Sequence, residues 1–389
     1  MGSLALATLL VTAALLASMI SVELGISVAL IELGLGVVVG NVFDVPTPEW
    51  LVFLAGFAGI LLTFLAGAEV DVPQLKREWR ASIAIGLVSF GAPFLVAAAV
   101  AYWGLGWTGD AAKIAGIALS TTSLAVVYAV LVETGLNRTV IGKRIMAATF
   151  VTDLGTVAAL SILFVTPNVW FVPFACVSLA LIAGLPRIAP AFFARYGNRV
   201  IEPEIKLAFV GLLLLMWLGD KAQSHAVLPA FVLGLALSSH YASHRQEQER
   251  LRVVAFAFLT PLFFLRSGMS VSLVALWSSL GVLALLFAAK MAPKLVGVYP
   301  LARRYCAPHG AFTTLLMSTG LTFGTISSLY GLNAGIINET QFSLLVAVVV
   351  LSAIVPTVIA QRLFQPDVAE ERHRDAMLVA EDRAEAEVR

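Results

Sequence analysis

The stretch Ile145-Met146-Ala147-Ala148-Thr149-Phe150-Val151-Thr152-Asp153-Leu154-Gly155-Thr156-Val157-Ala158-Ala159-Leu160 sets one carboxylate in the middle of an apolar run. Asp153 has no charged neighbour behind it until Arg144 and none for many positions ahead. A helix over about 139–165 is long enough to cross a hydrocarbon layer of roughly 30 Å at about 1.5 Å per residue. Asp153 then falls near mid-membrane. An ionisable side chain at that depth is costly, and the default reading is a functional group that faces a cavity or a partner rather than lipid. The other reading is a protonated Asp that hydrogen-bonds a neighbouring helix and does nothing else.

The composition agrees with a membrane setting. Of 389 residues, 59% are hydrophobic and 13% charged, with a formal net charge of +1 and a mean hydropathy of +0.92. That balance excludes an ordinary soluble enzyme and indicates an all-α polytopic membrane protein. Cys176 and Cys306 define no disulfide or metal framework, and there is no CxxC, HExxH or Walker-type loop. Neither a cofactor nor a nucleic-acid partner is expected. Met1 to Ile20 lacks a basic leader region and reads as a retained first span.

Apolar runs separated by charges or by Gly and Pro give thirteen expected spans: about 4–22, 26–42, 50–69, 82–103, 113–132, 139–165, 167–184, 204–219, 225–240, 253–269, 271–299, 309–330 and 341–363. Basic loop residues test that series, since Lys and Arg collect on the cytoplasmic side. Most of the 25 follow odd-numbered spans: Lys76, Arg77 and Arg80; Arg138, Lys143 and Arg144; Arg187, Arg195, Arg199 and Lys206; Arg245, Arg250 and Arg252; Arg303 and Arg304; and five from Arg362 onward. Even-numbered connections hold only Lys113, Lys221 and Arg266. The alternation predicts a multi-pass protein of the cell membrane with the N-terminus outside and the C-terminus in the cytoplasm. Residues 1–365 form the membrane domain, and 366–389 a short charged cytoplasmic tail. Thirteen spans fit two inverted six-helix repeats joined by the seventh. Span 5 carries Ser120-Thr121-Thr122-Ser123, and its repeat counterpart, span 12, carries Ser318-Thr319-Gly320-Leu321-Thr322.

Hydroxyl clusters and glycine inside a span weaken the helical ladder, and two broken helices that meet near mid-membrane can offer carbonyls and helix dipoles to a cation. The same clusters also suit a helix-packing surface of small residues. The basic counterpart is in span 11, where Lys290 and Lys294 share a helix face. Lys294 either snorkels toward the cytoplasmic interface or, with Pro293 disturbing the helix, turns into the core. Glu32 in span 2 reads as half of a structural ion pair, with Arg266 or Lys206 as partner. Arg266 itself, near the end of span 10, is expected to snorkel or pair there.

Several stretches carry a family likeness. Lys294-Leu295-Val296-Gly297-Val298-Tyr299 resembles the Lys-x-x-Gly-aliphatic-aromatic segment of Nha-type sodium/proton antiporters. The run Ala118 to Val127, followed by Gly135-Leu136, Gly142-Lys143-Arg144 and Asp153, is similar to the broken helix and acidic helix of the monovalent cation:proton antiporter superfamily, family 2, with its Nha, Nap and Kef types. Ile31 to Gly40, Phe64 to Asp71 and Leu228 to Leu235 agree in order.

The resemblance implies that Asp153 binds a monovalent cation, Na⁺ or K⁺, and a proton in competition. Beside it would stand Thr152, Thr122 and Ser123, with Ser120, Thr121, Ser318, Thr319 and Thr322 lining the breaks. It further implies that Lys294, or Lys290 one turn away, is the basic partner in the core. The spans near 82–165 and 271–363 would form that core, and the rest a scaffold and homodimer contact in the lipid bilayer. Electrogenic members have a second acid where this chain has Thr152, which favours one-for-one exchange. Ser318-Thr319-Gly320 replaces the Kef-like Gly-Glu-Phe. A sodium-coupled organic-anion symporter on a related inverted-repeat fold is the alternative. An intramembrane protease would need a Gly-x-Gly-Asp or Gly-x-Ser-Gly signature that the chain lacks.

Overall fold

The computed structural model describes residues 2–24, 27–43, 47–165, 168–197, 199–371 and 374, apart from the side chains at 133 and 138. Among the described residues every regular element is helical. The helices are α1 (Ser3–Leu24), α2 (Val28–Phe43), α3 (Glu49–Ala68), α4 (Val72–Arg77), α5 (Trp79–Ala99, ending in a π-helical turn Val100–Gly104), α6 (Gly109–Ser120) and α7 (Leu124–Glu133). After these come α8 (Val140–Leu163), α9 (Phe171–Tyr196), α10 (Pro203–Lys221), α11 (Val227–Ser243), α12 (Arg245–Val254), α13 (Thr260–Met269), α14 (Leu273–Ser278), α15 (Leu280–Tyr305), α16 (Gly310–Met317), α17 (Thr322–Asn333) and α18 (Glu339–Leu363).

Among the described residues nine helical segments are long and apolar enough to cross a membrane. The other expected spans are α2, α10, α11 and the interrupted pair α16 and α17. The two interrupted spans, α6–α7 and α16–α17, occupy the fifth and twelfth places that two six-span repeats require. Two boundaries differ from the sequence reading. The run expected at 271–299 is two helices, because the Ser272 side chain accepts from the Ala275 amide at 3.2 Å and caps α14, and the backbone leaves the helical region at Ser279. The span proper is α15, so Lys290 and Lys294 lie in its middle. The run expected at 167–184 continues as α9 through Pro186 and Pro190 to Tyr196; its expected first residue lies outside the described residues.

The chain divides into two compact units, one of residues 1–72, 156–280 and 326–344, the other of 73–155, 281–325 and 345–389. Of the charged tail, residues 372–373 and 375–389 lie outside the described residues. In the first unit α2 packs on α13 and α3 on α11. Lipid tails are as apolar as leucine, so such contacts rest on close packing and not on water exclusion. The α2–α13 seam is built for that: a Cβ at Gly36 would collide with the Leu265 carbonyl, and one at Gly268 with the Leu33 carbonyl. In the second unit α7, α8, α15 and α16 enclose an apolar cluster that includes Val127, Leu131, Ile145, Val298, Phe312 and Leu316. This cluster fixes the helices that carry the polar centre described next.

Candidate ion site at the crossing of two broken helices

Local chemistry breaks both helices. At the end of α6 the Ser120 hydroxyl donates to the Ile117 carbonyl at 2.8 Å and Thr121 to that of Ala118 at 3.1 Å. These side-chain bonds compete with the helical ladder. Thr121 is extended, and α7 restarts with the Ser123 side chain accepting from the Val126 amide at 3.4 Å. At the end of α16 the Ser318 hydroxyl donates to Thr314 O at 2.7 Å and Thr319 to Leu316 O at 2.8 Å. Helix α17 resumes at Thr322, which is half-buried.

The two breaks cross. Thr122 Oγ1 donates to the Met317 carbonyl at 2.8 Å, and the Ser123 amide donates to Thr319 Oγ1 at 3.4 Å. Both half-helices therefore bring their C-terminal carbonyls, the negative ends of their dipoles, to one point. A lysine ammonium meets them there. Lys294 Nζ donates to Thr121 O at 2.8 Å, Thr122 Oγ1 at 3.0 Å and Met317 O at 2.8 Å, which uses all three of its donors. Lys290 Nζ donates to the same Thr121 carbonyl at 3.1 Å. Gly320 leaves room for it: a Cβ there would lie 2.5 Å from Lys290 Nζ and 2.9 Å from Thr121 Oγ1.

Asp153 sits on α8 in the same unit. Asp153, Lys290 and Lys294 are each 0% exposed, so the lysines do not snorkel. Among the described residues neither carboxylate oxygen of Asp153 has a hydrogen-bond partner, so a hydrogen bond from Asp153 to a neighbouring helix is not found there. Lys294 is close enough to act on Asp153 electrostatically, yet its hydrogen bonds go to the broken helices. Thr152 beside it donates to Ala148 O at 3.1 Å and approaches Gly86 O at 3.4 Å. The assembly thus offers a buried carboxylate that can hold a proton or a dehydrated cation, next to an ammonium already satisfied by neutral groups.

Of the residues singled out in the sequence, Thr121, Thr122, Ser123, Thr319, Lys290 and Lys294 converge on the crossing, while the Ser120 and Ser318 side chains turn back on their own helices. The sequence reading missed Ser89, whose hydroxyl lies 3.3 Å from Met317 O and 3.4 Å from Thr122 Oγ1. A hydroxyl in the middle of α5 is the signal that could have found it. The Met317 carbonyl itself carries no side-chain signal. The expected Glu32–Arg266 ion pair is not formed among the described residues. Glu32 is buried with Oε2 unpartnered, and Arg266 Nη2 donates to Asn333 Oδ1 at 2.7 Å. The reason is angular: Leu265 and Gly268 face α2 in the seam, and a residue next to Leu265 points about 100° away around a 3.6-residue helix.

The model of the transmembrane sodium/hydrogen exchanger family matches residues 7–365, and the chain belongs to that family. It is 25% identical over 353 residues to the probable Na(+)/H(+) antiporter 3 of Methanocaldococcus jannaschii, which covers 85% of this chain and 88% of that protein. It is also 25% identical over 357 residues to the Na(+)/H(+)-K(+) antiporter GerN of Bacillus cereus, covering 87% and 90%. Against cation/H(+) antiporter 19 of Arabidopsis thaliana the identity is 24%, and the match spans 42% of that longer protein. Among solved structures, the sodium proton antiporter MjNhaP1 of Methanocaldococcus jannaschii superposes with a TM-score of 0.68 at 16% identity, over 93% of this chain and 99% of that one. That likeness shows the fold.

Proposed function

We propose that the chain is a secondary-active antiporter that exchanges a monovalent cation, Na⁺ or K⁺, for a proton, with Asp153 as the shared carrier. The observation that carries this reading is the fully buried Asp153 carboxylate, unpartnered, beside a crossing of two broken helices. When ionised, Asp153 binds the dehydrated cation; when protonated, it releases it. The carboxylate is charge-compensated in both loaded states, so it can change its exposure without carrying a bare negative charge through the membrane, which costs several kcal/mol or more. Thr152 in place of a second acid leaves one carboxylate per cycle, which supports one-for-one, electroneutral exchange.

Lys294 has a defined part in this scheme. Its ammonium holds the half-helix carbonyls and places a fixed positive charge near Asp153, which opposes the binding of proton and cation alike and so keeps either from being held too tightly to leave. The basic loops that follow the odd-numbered spans support an external N-terminus and a cytoplasmic C-terminus in the cell membrane. A homodimer joined through the first unit is part of the same reading.

The names of the relatives favour exchange over organic-anion symport. The test is the collapse of a preset ΔpH in proteoliposomes on adding Na⁺, K⁺ or Li⁺, with valinomycin and K⁺ clamping the potential. Exchange that survives the clamp and disappears in Asp153→Asn is the expected result. A response to none of the cations would overturn the reading.

A further inference from the structure

A second polar site stands apart from the ion centre. A pocket of about 320 Å³ at the start of α5 is lined by Arg77, Arg80, Arg144 and Arg304, with Glu78 as its single acid. Glu78 is already engaged: its carboxylate takes Arg144 Nε at 2.6 Å, and Arg144 Nη1 donates to the Tyr305 carbonyl at 2.7 Å. Arg80 and Arg304 form no ion pair among the described residues. They lie instead over aromatic rings, Arg80 at 5.4 Å from the Trp79 centroid and Arg304 at 5.6 Å from that of Tyr305. Stacking holds each guanidinium plane while leaving its fork of donors for another acceptor. The pocket therefore presents a surplus of preoriented guanidinium groups, the chemistry that takes a phosphate in bidentate fashion.

The surroundings choose the source of that phosphate. Trp79 begins one membrane-length helical segment and Tyr305 ends another, which is the depth where aromatic residues mark the lipid interface. Below Trp79 (53% exposed), Ile83 (41%) and Leu87 (55%) follow at four-residue spacing on the same face of α5. An exposed apolar stripe thus leads straight from the arginine pocket along the membrane-crossing part of the helix. A free phosphate needs no such stripe; an acyl chain does.

We propose that this pocket binds the phosphodiester headgroup of an anionic phospholipid, with an acyl chain along the Trp79–Ile83–Leu87 stripe. The lipid joins the ends of α5, α8 and α15, the last two being the helices that carry Asp153 and Lys294. The binding claim does not depend on which ions the chain exchanges. The probe is phosphatidylglycerol, with phosphatidylcholine as the neutral control, added to the purified full-length protein and followed by native mass spectrometry and thermal shift.

One phosphatidylglycerol per chain is expected to bind at least tenfold more tightly than phosphatidylcholine, weakening as salt rises. Arg80→Gln/Arg304→Gln should lose that preference about tenfold, while Arg80→Lys/Arg304→Lys, which keeps charge without the fork, should fall between. Both residues are exposed, and the melting temperature of each lipid-free variant identifies one that has failed to fold. If inorganic phosphate at matched ionic strength displaces the lipid and protects as well as it does, the ligand is a soluble phosphate and the lipid assignment falls. Equal retention of the two lipids, or an unchanged preference in the Gln pair, overturns the site.

Discussion

Among the described residues two places that bury an acid and a base at membrane depth are built in opposite ways. In the first unit Glu32 and Arg266 lie on helices whose backbones touch through glycine, so the seam is closed by one main chain lying directly against the other and has no place for the two charges to meet. Arg266 reaches away to an amide. In the second unit Asp153 and Lys294 lie beside helices that are broken, and the freed carbonyls and hydroxyls take the ammonium. Buried charge is common to both. What distinguishes the candidate ion centre is backbone released from the helical ladder, which can solvate a cation where lipid cannot.

The largest contrast is functional. Asp153→Asn removes the carboxylate on which the proposed alternation between proton and cation depends, and exchange is expected to fall at least 100-fold, with the protein still folded. Glu32→Gln should leave the exchange rate within about threefold, because the glutamate lies in the closed seam. Both are read as ΔpH collapse in proteoliposomes. If Glu32→Gln abolished exchange as completely, the distinction between the two places would fail. If proton and cation compete for the Asp153 carboxylate as proposed, wild-type apparent affinity for the cation should weaken as pH drops.

Next in size are the stability effects. Gly36→Ala forces a methyl group into the Leu265 carbonyl, which cannot swing aside, and a cost of about 2–4 kcal/mol is expected from overpacking and lost helix contact. Lys294→Gln gives up three charge-assisted bonds and leaves the Thr121 carbonyl to Lys290 and the Met317 carbonyl to the Thr122 hydroxyl, a loss of about 3 kcal/mol. Lys290→Gln gives up a single bond to the Thr121 carbonyl, about 1 kcal/mol. Thermal melting in detergent ranks the three. Equal losses for the two lysines would mean that the half-helix carbonyls are not mainly Lys294's burden.

The sequence made the span order legible because apolar length and loop charge are independent signals that agree along the chain. The breaks were legible too, since Ser120 to Ser123 and Ser318 to Thr322 are hydroxyl-rich where a span should be apolar. Lys290 and Lys294 could be placed on one face by spacing alone. What spacing could not tell was where their donors go. The Thr121 and Met317 carbonyls are backbone groups, equally present at every residue, and only their release from the ladder makes them ligands. The same limit explains Glu32 and Arg266: complementary charge suggested a pair, whereas the direction of each side chain is set by a glycine seam that is visible only once the helices are docked. Pro293 drew attention to α15 as a disturbed helix, yet the helix runs through it from Leu280 to Tyr305.

The finest test of the contrast is a single methyl group at Gly320. As at Gly36, a Cβ there meets a neighbour too closely, but the neighbour is the mobile end of Lys290, 2.5 Å away, with Thr121 Oγ1 at 2.9 Å and Ser352 Oγ at 3.2 Å. A flexible ammonium can retreat where a backbone carbonyl cannot. Gly320→Ala should therefore cost only about 1 kcal/mol or less, the worth of one displaced hydrogen bond, while shifting the pH profile of exchange, because one of the two ammonium groups beside the crossing has moved. Gly36→Ala should do the reverse: a larger drop in melting temperature with the pH profile of the surviving protein unchanged. A Gly320→Ala protein that melts as early as Gly36→Ala and keeps the wild-type pH profile would show that the crossing is packed as rigidly as the seam, and that Lys290 has no freedom to contribute.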